Sequence, residues 1–158
     1  MKALFFILIF ILRFSFLFSG NVIQHLTIEN GLAHTDANCI IQDSTGLIWI
    51  GTYNGLQSYD GYELKNYDYY KSSTNKIFQL KNRILSLSND KNRIWVGSES
   101  GLLWFNLDYN KYTDFYIKGE DKSIKRQNIL SVLSDSDNNR LWIKTIGKIV
   151  AAEIHNDT

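Results

Sequence analysis

The 158 residues contain no proline, one cysteine and three histidines. Without proline there is no stiff, extended linker of the kind that separates domains. The lone Cys39 sits in the apolar run Cys39-Ile40-Ile41. It has no partner in the chain, which excludes an internal disulfide framework and leaves it as a small apolar residue. His25, His34 and His155 are far apart and lack ligand spacing, so no metal site is expected. Charge of one sign is also missing: 17 Lys+Arg stand against 16 Asp+Glu. A net charge of +1 supplies no field for gripping nucleic acid or an anionic membrane surface. No Ser/His/Asp grouping, phosphate-cradling loop or paired catalytic carboxylate can be read from spacing. The chain is therefore expected to be no enzyme, with no catalytic residue and no cofactor.

What is present is apolar and aromatic. Hydrophobic residues make up 44% and aromatic residues 14%, inside the globular range. Tyr, Phe and Trp with abundant Ile and Leu suit pleated, half-buried surfaces, which favours an all-β fold. Residues 1–20 stand apart. Lys2 begins them, residues 3–12 are an unbroken apolar run, and Ser19-Gly20 ends them in small residues. This is the pattern of a secretory signal peptide, and it predicts export to the periplasm. Arg13 interrupts the run before the ~18 apolar residues that suggest a membrane span. Membrane attachment would then come only from an uncleaved leader or from a part of the protein beyond this sequence.

The organising feature is a repeat. Leu47-Ile48-Trp49-Ile50-Gly51-Thr52 recurs as Arg93-Ile94-Trp95-Val96-Gly97-Ser98 and as Arg140-Leu141-Trp142-Ile143-Lys144-Thr145, the tryptophans falling 46 and 47 residues apart. An apolar stretch precedes each, separated from it by an Asp/Asn-rich turn cluster such as Asp43-Ser44-Thr45-Gly46. A second turn follows, carrying Gly55, Gly101 or Gly147, and then a third strand. A fourth, less regular strand is expected over 62–67 and 112–117. Four antiparallel strands per repeat of this length describe a β-propeller blade. The Trp strand is apolar on both faces, as expected of a sheet sandwiched between two others. The predicted fold is thus an incomplete β-propeller of about three four-stranded blades after a signal peptide. Its divisions are the leader (1–20), a leading strand (22–28) within a connection (21–37), and blades at 38–76, 77–122 and 123–158, the last partial. Open blade edges make self-association a reasonable expectation.

Candidate binding residues come from departures from the repeat. Trp49, Trp95 and Trp142 recur in phase, and so are read with Gly51, Gly97, Gly55 and Gly101 as structural. Trp104 aligns instead with Ser58, so the repeat does not demand its ring, and it is a candidate ligand contact. Tyr67, Tyr69 and Tyr70 lie in Tyr67-Asp68-Tyr69-Tyr70-Lys71, expected to be an inter-blade loop where binding residues concentrate. The aspartates of the turn clusters are read as turn formers.

The run Gln24-His25-Leu26-Thr27-Ile28-Glu29-Asn30-Gly31-Leu32, then Asn38-Cys39-Ile40-Ile41-Gln42-Asp43-Ser44-Thr45-Gly46-Leu47-Ile48-Trp49-Ile50-Gly51-Thr52-Tyr53-Asn54-Gly55-Leu56, with Tyr59-Asp60-Gly61-Tyr62, resembles the opening of the two-component regulator propeller family. The likeness weakens in the third unit, where Lys144 replaces the glycine and Gly147-Lys148 replaces Gly-Leu. The resemblance implies the periplasmic sensor of an inner-membrane hybrid histidine kinase of Bacteroidetes, responding to oligosaccharides and regulating polysaccharide utilisation. It implies no kinase activity here, because no phosphorylated-histidine box or nucleotide-binding stretch is present. The alternatives are a stand-alone exported glycan-binding or interaction module and a non-functional truncated remnant. A propeller-type lyase is a third, weaker reading.

Overall fold

The structure is a computed structural model that describes residues 23–71, 77–79, 82–109, 111–114 and 127–154; the expected leader lies outside them. Among the described residues there is no α-helix. Strands β1 (Ala37–Gln42), β2 (Ile48–Thr52), β3 (Gly55–Tyr59) and β4 (Leu64–Asn66) form one antiparallel sheet in chain order. After β5 (Tyr69–Lys71) and β6 (Ile77–Gln79), the strands β7 (Ile84–Asp90), β8 (Arg93–Ser98), β9 (Gly101–Asn106) and β10 (Lys111–Asp114) form the second. The third sheet has three strands, β11 (Ile129–Asp135), β12 (Arg140–Thr145) and β13 (Ile149–Glu153).

Each repeat unit folds as a meander because its turns are built alike. Thr52 Oγ1 donates to the Gly55 carbonyl at 3.0 Å and accepts from Asn54 N–H; Ser98 Oγ does the same with Gly101 and Ser100. Gly55 and Gly101, with φ of 111° and 130°, occupy the left-handed conformation these hairpin turns require. At the other hairpin, Asp43 accepts from Thr45 N–H and hydroxyl, Leu47 N–H and Trp49 Nε1. Burial alone would raise its pKa, but these four donors outweigh that and hold the carboxyl below its usual value.

The sheets stack through their Trp strands. Trp49 and Leu56 of the first sheet are buried against Ile84, Leu87, Ile94, Val96, Phe105 and Tyr112 of the second. One repeat further on, Trp95 and Leu102 pack against Ile129, Val132, Leu141, Ile143, Ala152 and Ile154. Every residue of β8 is buried, as expected for a strand covered on both faces. Polar groups are paired across the junctions too. Asn38 Nδ2 donates to the Ile84 carbonyl at 2.9 Å, and Asn89 Nδ2 to that of Gln42 at 3.1 Å. Ser86 and Ser88 hydroxyls accept from Val132 and Ser134 N–H, both at 2.9 Å, and Ser136 Oγ donates to Asp90.

A bulge recurs at the same place in all three first strands. Ala37 opposes Thr52 and Cys39 opposes Gly51; Ile84 opposes Ser98 and Ser86 opposes Gly97; Ile129 opposes Thr145 and Ser131 opposes Lys144. The extra residue turns Ile84 and Ile129 toward the preceding sheet, whereas simple alternation would leave them on the serine face.

Three sequence expectations change. The leading strand over 22–28 is not formed over its described part: 23–27 carry no regular structure and Ile28–Asn30 is a 3₁₀ turn. Asn30 Oδ1 accepts from the Thr27 amide and hydroxyl, Gly31 turns the chain with φ 100°, and among the described residues no strand pairs with the segment. Tyr69–Lys71 is not loop backbone but pairs with Ile77–Gln79 as a two-stranded ribbon. Trp142, expected in an inter-sheet core, is 40% exposed, against 1% for Trp49 and 0% for Trp95. It occupies the equivalent position, but no described sheet covers that face of the third sheet.

Candidate functional site

Trp104 stands on β9 opposite Trp95, the register position held by Ser58 opposite Trp49 and by Ala151 opposite Trp142. Its ring is half-buried at the edge of the second junction, with its centroid 6.2 Å from that of Trp95. The Arg93 guanidinium lies 5.6 Å from both ring centroids and forms a 3.1 Å ion pair with Asp90. Arg93 and Asp90 are both buried, and Ser136 of the third sheet donates to the same carboxylate. A buried charge is tolerable only when paired and hydrogen-bonded, and Asp90 meets both conditions for Arg93. The outcome is a cation shared by two adjoining indoles, with one indole partly open to solvent. Such a platform can stack on a flat apolar ring face.

Tyr67 belongs to a different cluster, at the first junction. Its ring lies 5.1 Å from Trp49 and 5.0 Å from Phe105, and Phe105 is in turn 5.0 Å from Tyr112. The Tyr67 hydroxyl is 3.2 Å from Ser58 Oγ, its carbonyl accepts from the Tyr112 hydroxyl, and Lys65 Nζ lies 5.3 Å from its ring centroid. Burial pushes the Tyr112 phenol well above its usual pKa, with Tyr67 and Asp68 adding to the effect. Tyr67 is thus half-buried packing with a polar tip. The backbone of Tyr69 and Tyr70 lies in β5, while their side chains fall outside the described residues. Trp104 and Tyr67 sit at successive junctions and do not form one site.

Sequence reading missed the Asp90–Arg93 pair. Its signal was available: Asp90 and Arg93 flank a two-residue turn, while the first unit has Leu47 where Arg93 stands. Cys39 is half-buried beside Gly51, and burial raises its thiol pKa to about 11, a hydrogen bond with the Gly51 backbone only partly offsetting this. Among the described residues no group of three or more His, Cys, Asp and Glu could hold a metal ion, and no helix is long and apolar enough to cross a membrane.

Comparison with known proteins places this geometry. Residues 31–54, spanning the segment before β1 through the turn after β2, match the family described as Two component regulator propeller. No curated protein sequence matches the chain significantly. Among solved structures, the extracellular domain of the hybrid two component system BT3049 from B. thetaiotaomicron matches with a TM-score of 0.65 at 23% identity, over 83% of this chain. The chain spans 19% of the length of that structure. The extracellular domain of the BT4673 system from the same organism is 21% identical over 76% of this chain and 21% of its own, with a TM-score of 0.39. The Neurospora crassa Pan2 WD40 domain is 14% identical over 78% of this chain and 48% of its own, also with a TM-score of 0.39. The fold is that of propeller blades.

Proposed function

We propose that the chain is part of the extracytoplasmic sensor of a two-component system, a binding module rather than a catalyst. The observation that carries this reading is the match of residues 31–54 to a regulator propeller, within a stack of blade-like sheets. The extracellular location of BT3049's matching domain supports export of this chain, as does the leader-like sequence of residues 1–20. In this reading a ligand favours one arrangement of the blades over another, and its differential affinity for the two sets the size of the signal.

The ligand is proposed to be a glycan-derived oligosaccharide, and Trp104 its contact in this chain. Trp104 supports the assignment because the repeat places Ser58 and Ala151 at the same position, so its indole is not needed to build a blade. Calorimetric titration with a panel of neutral oligosaccharides tests it: saturable binding is expected, lost in Trp104→Ala and retained in Tyr67→Phe. Dilution heats alone across the panel would remove the sugar assignment. The sensor reading is tested separately by the reading frame beyond Thr158. Further repeats, a membrane span and a histidine kinase are expected there, and a stop codon followed by an unrelated gene would defeat it.

A further inference from the structure

The two ends of the sheet stack carry different kinds of residue. At one end lie the turns between first and second strands, where Asp43, Asp90 and Asp135 recur and are used up in building turns and in the Arg93 pair. At the other end each first strand starts beside the point where the second stops. The residue before the first strand therefore meets the turn after the second. Tyr53 N–H donates to the Asp36 carbonyl at 3.0 Å, and Glu99 N–H to that of Arg83 at 3.2 Å. Asn128 and Ile146 hold the two positions in the third unit. The backbone repeats here while the side chains do not, so the blade leaves them free to serve something else. Loops gathered on one face of a repeat architecture commonly form its binding face.

Across the first junction these side chains form one row. The His34 ring centroid lies 5.1 Å from that of Tyr53, the Arg83 guanidinium 5.5 Å from the same Tyr53 ring, and Arg83 Nη1 3.6 Å from Glu99 Oε1. His34 is steadied by the Asp36 N–H, which donates to its Nδ1 at 3.0 Å. Tyr53 is 51% exposed, and the Arg83 and Glu99 side chains 40% and 46%. The Arg83–Glu99 contact is longer than a hydrogen bond, and Arg83 Nε has no acceptor among the described residues. Open donors, an open carboxylate and a ring face thus stand side by side. Arg83 disfavours a cationic ligand, and Glu99 with Asp36 an anionic one. A neutral ring with adjacent hydroxyls fits both limits: its apolar face covers Tyr53, one hydroxyl accepts from Arg83 and the next donates to Glu99. We infer that this row is a second ligand site, taking one neutral pyranose ring. Trp104, three residues beyond Gly101 on β9 and packed at the second junction, is not part of it. Tyr53 belongs to the first sheet's turn and Arg83 with Glu99 to the second sheet, so a bound ring favours the arrangement in which the two sheets are held together. That coupling rests on the sensor reading, whereas the binding stands on these residues alone.

One ring on one aromatic face binds on the order of millimolar, so it is read by resonance shifts rather than by heat. The isotope-labelled full-length chain, exported from a bacterial host, is titrated with methyl glucoside, methyl galactoside and methyl mannoside while its amide spectrum is recorded. Saturable shifts at Asn54, Glu99 and Ser100 are expected with at least one of them. Tyr53→Ala and Arg83→Ala should each weaken binding by about tenfold, while Tyr53→Phe keeps the ring face and should keep the shifts. Should Arg83→Ala not fold, Arg83→Lys retains the charge without the planar fork and should also bind more weakly. Trp104→Ala should leave these shifts unchanged. The uronide of the sugar that binds should bind less well than its methyl pyranoside, and tighter binding of the uronide overturns the neutral assignment. Absence of shifts with all three sugars, shifts confined to the surroundings of Trp104, or shifts that persist in Tyr53→Ala overturn the site. Heat of binding that Trp104→Ala removes, without shifts at Asn54 and Glu99, defeats this site and leaves the sensor reading standing; shifts there without heat do the reverse for Trp104.

Discussion

Asp43 is the residue on which most of the first hairpin converges. Its carboxylate takes the backbone N–H groups of Thr45 and Leu47, the Thr45 hydroxyl and the Trp49 indole N–H at 2.8 Å. Asp43→Ala strands a buried indole donor, and leaving such a group unsatisfied costs about 1 to 3 kcal/mol. Urea unfolding should show a loss of that order. Because the folded carboxyl is held below its usual pKa, its contribution is present above the unfolded value of ~3.9 and is lost as pH falls through the lower folded value. Asp43→Asn should therefore flatten the stability profile on the acid side. Gly51 makes the opposite kind of demand, for empty space. Gly51→Ala places a methyl 2.6 Å from Ile84 Cγ2 and 2.5 Å from Cys39 Sγ, and overpacking of this kind costs about 1 to 3 kcal/mol. Cys39→Ala in the same chain should recover part of the loss, and unchanged stability in Gly51→Ala would contradict the packing described.

At the scale of the strand, the three tryptophans share a sequence position but not an environment. Trp49 and Trp95 are enclosed by the following sheet, and Trp142 is not. Truncating a buried Trp to Ala costs about 3 to 5 kcal/mol, so Trp95→Ala should destabilise far more than Trp142→Ala, as read by denaturant midpoints. Iodide should quench a share of the fluorescence that Trp142→Phe removes. The repeat could be read from the sequence because hairpins are local: the Asp/Asn turn clusters and the glycines at 55 and 101 dictate their own geometry. What covers each sheet is a long-range matter, so the exposure of Trp142 was not legible in a tryptophan that recurs in phase, although Lys144 in place of the glycine marked a departure beside it. The ribbon of Tyr69–Lys71 with Ile77–Gln79 was hidden for a related reason, since its pairing crosses a connection that carries no turn signature. Trp104 was legible as a departure from the repeat, but its Arg93 and Asp90 neighbours required the fold to bring β8 and β9 together.

Over the whole molecule, stability should be graded along the stack rather than uniform, since each sheet touches only its neighbours. The middle sheet is covered on both faces and the outer ones on fewer. Amide hydrogen exchange should be slowest in β8 and faster in β12, where Arg140, Trp142 and Lys144 face outward. Equal protection of the two strands would mean that a further layer covers the third sheet. The recurring bulge has a consequence for how such a chain tolerates change in length. The loop between the first two strands differs in length from unit to unit, yet the stretch from bulge to Trp partner is constant: Ala37 to Ile41, Ile84 to Ser88, Ile129 to Leu133. Removing the single residue Leu85 would swing Ile84 off Gly51 and unlatch two sheets, while a residue added at the loop would pass unnoticed. In this architecture, reading-frame-preserving indels are sorted by parity against the pleat, not by how much side chain they delete.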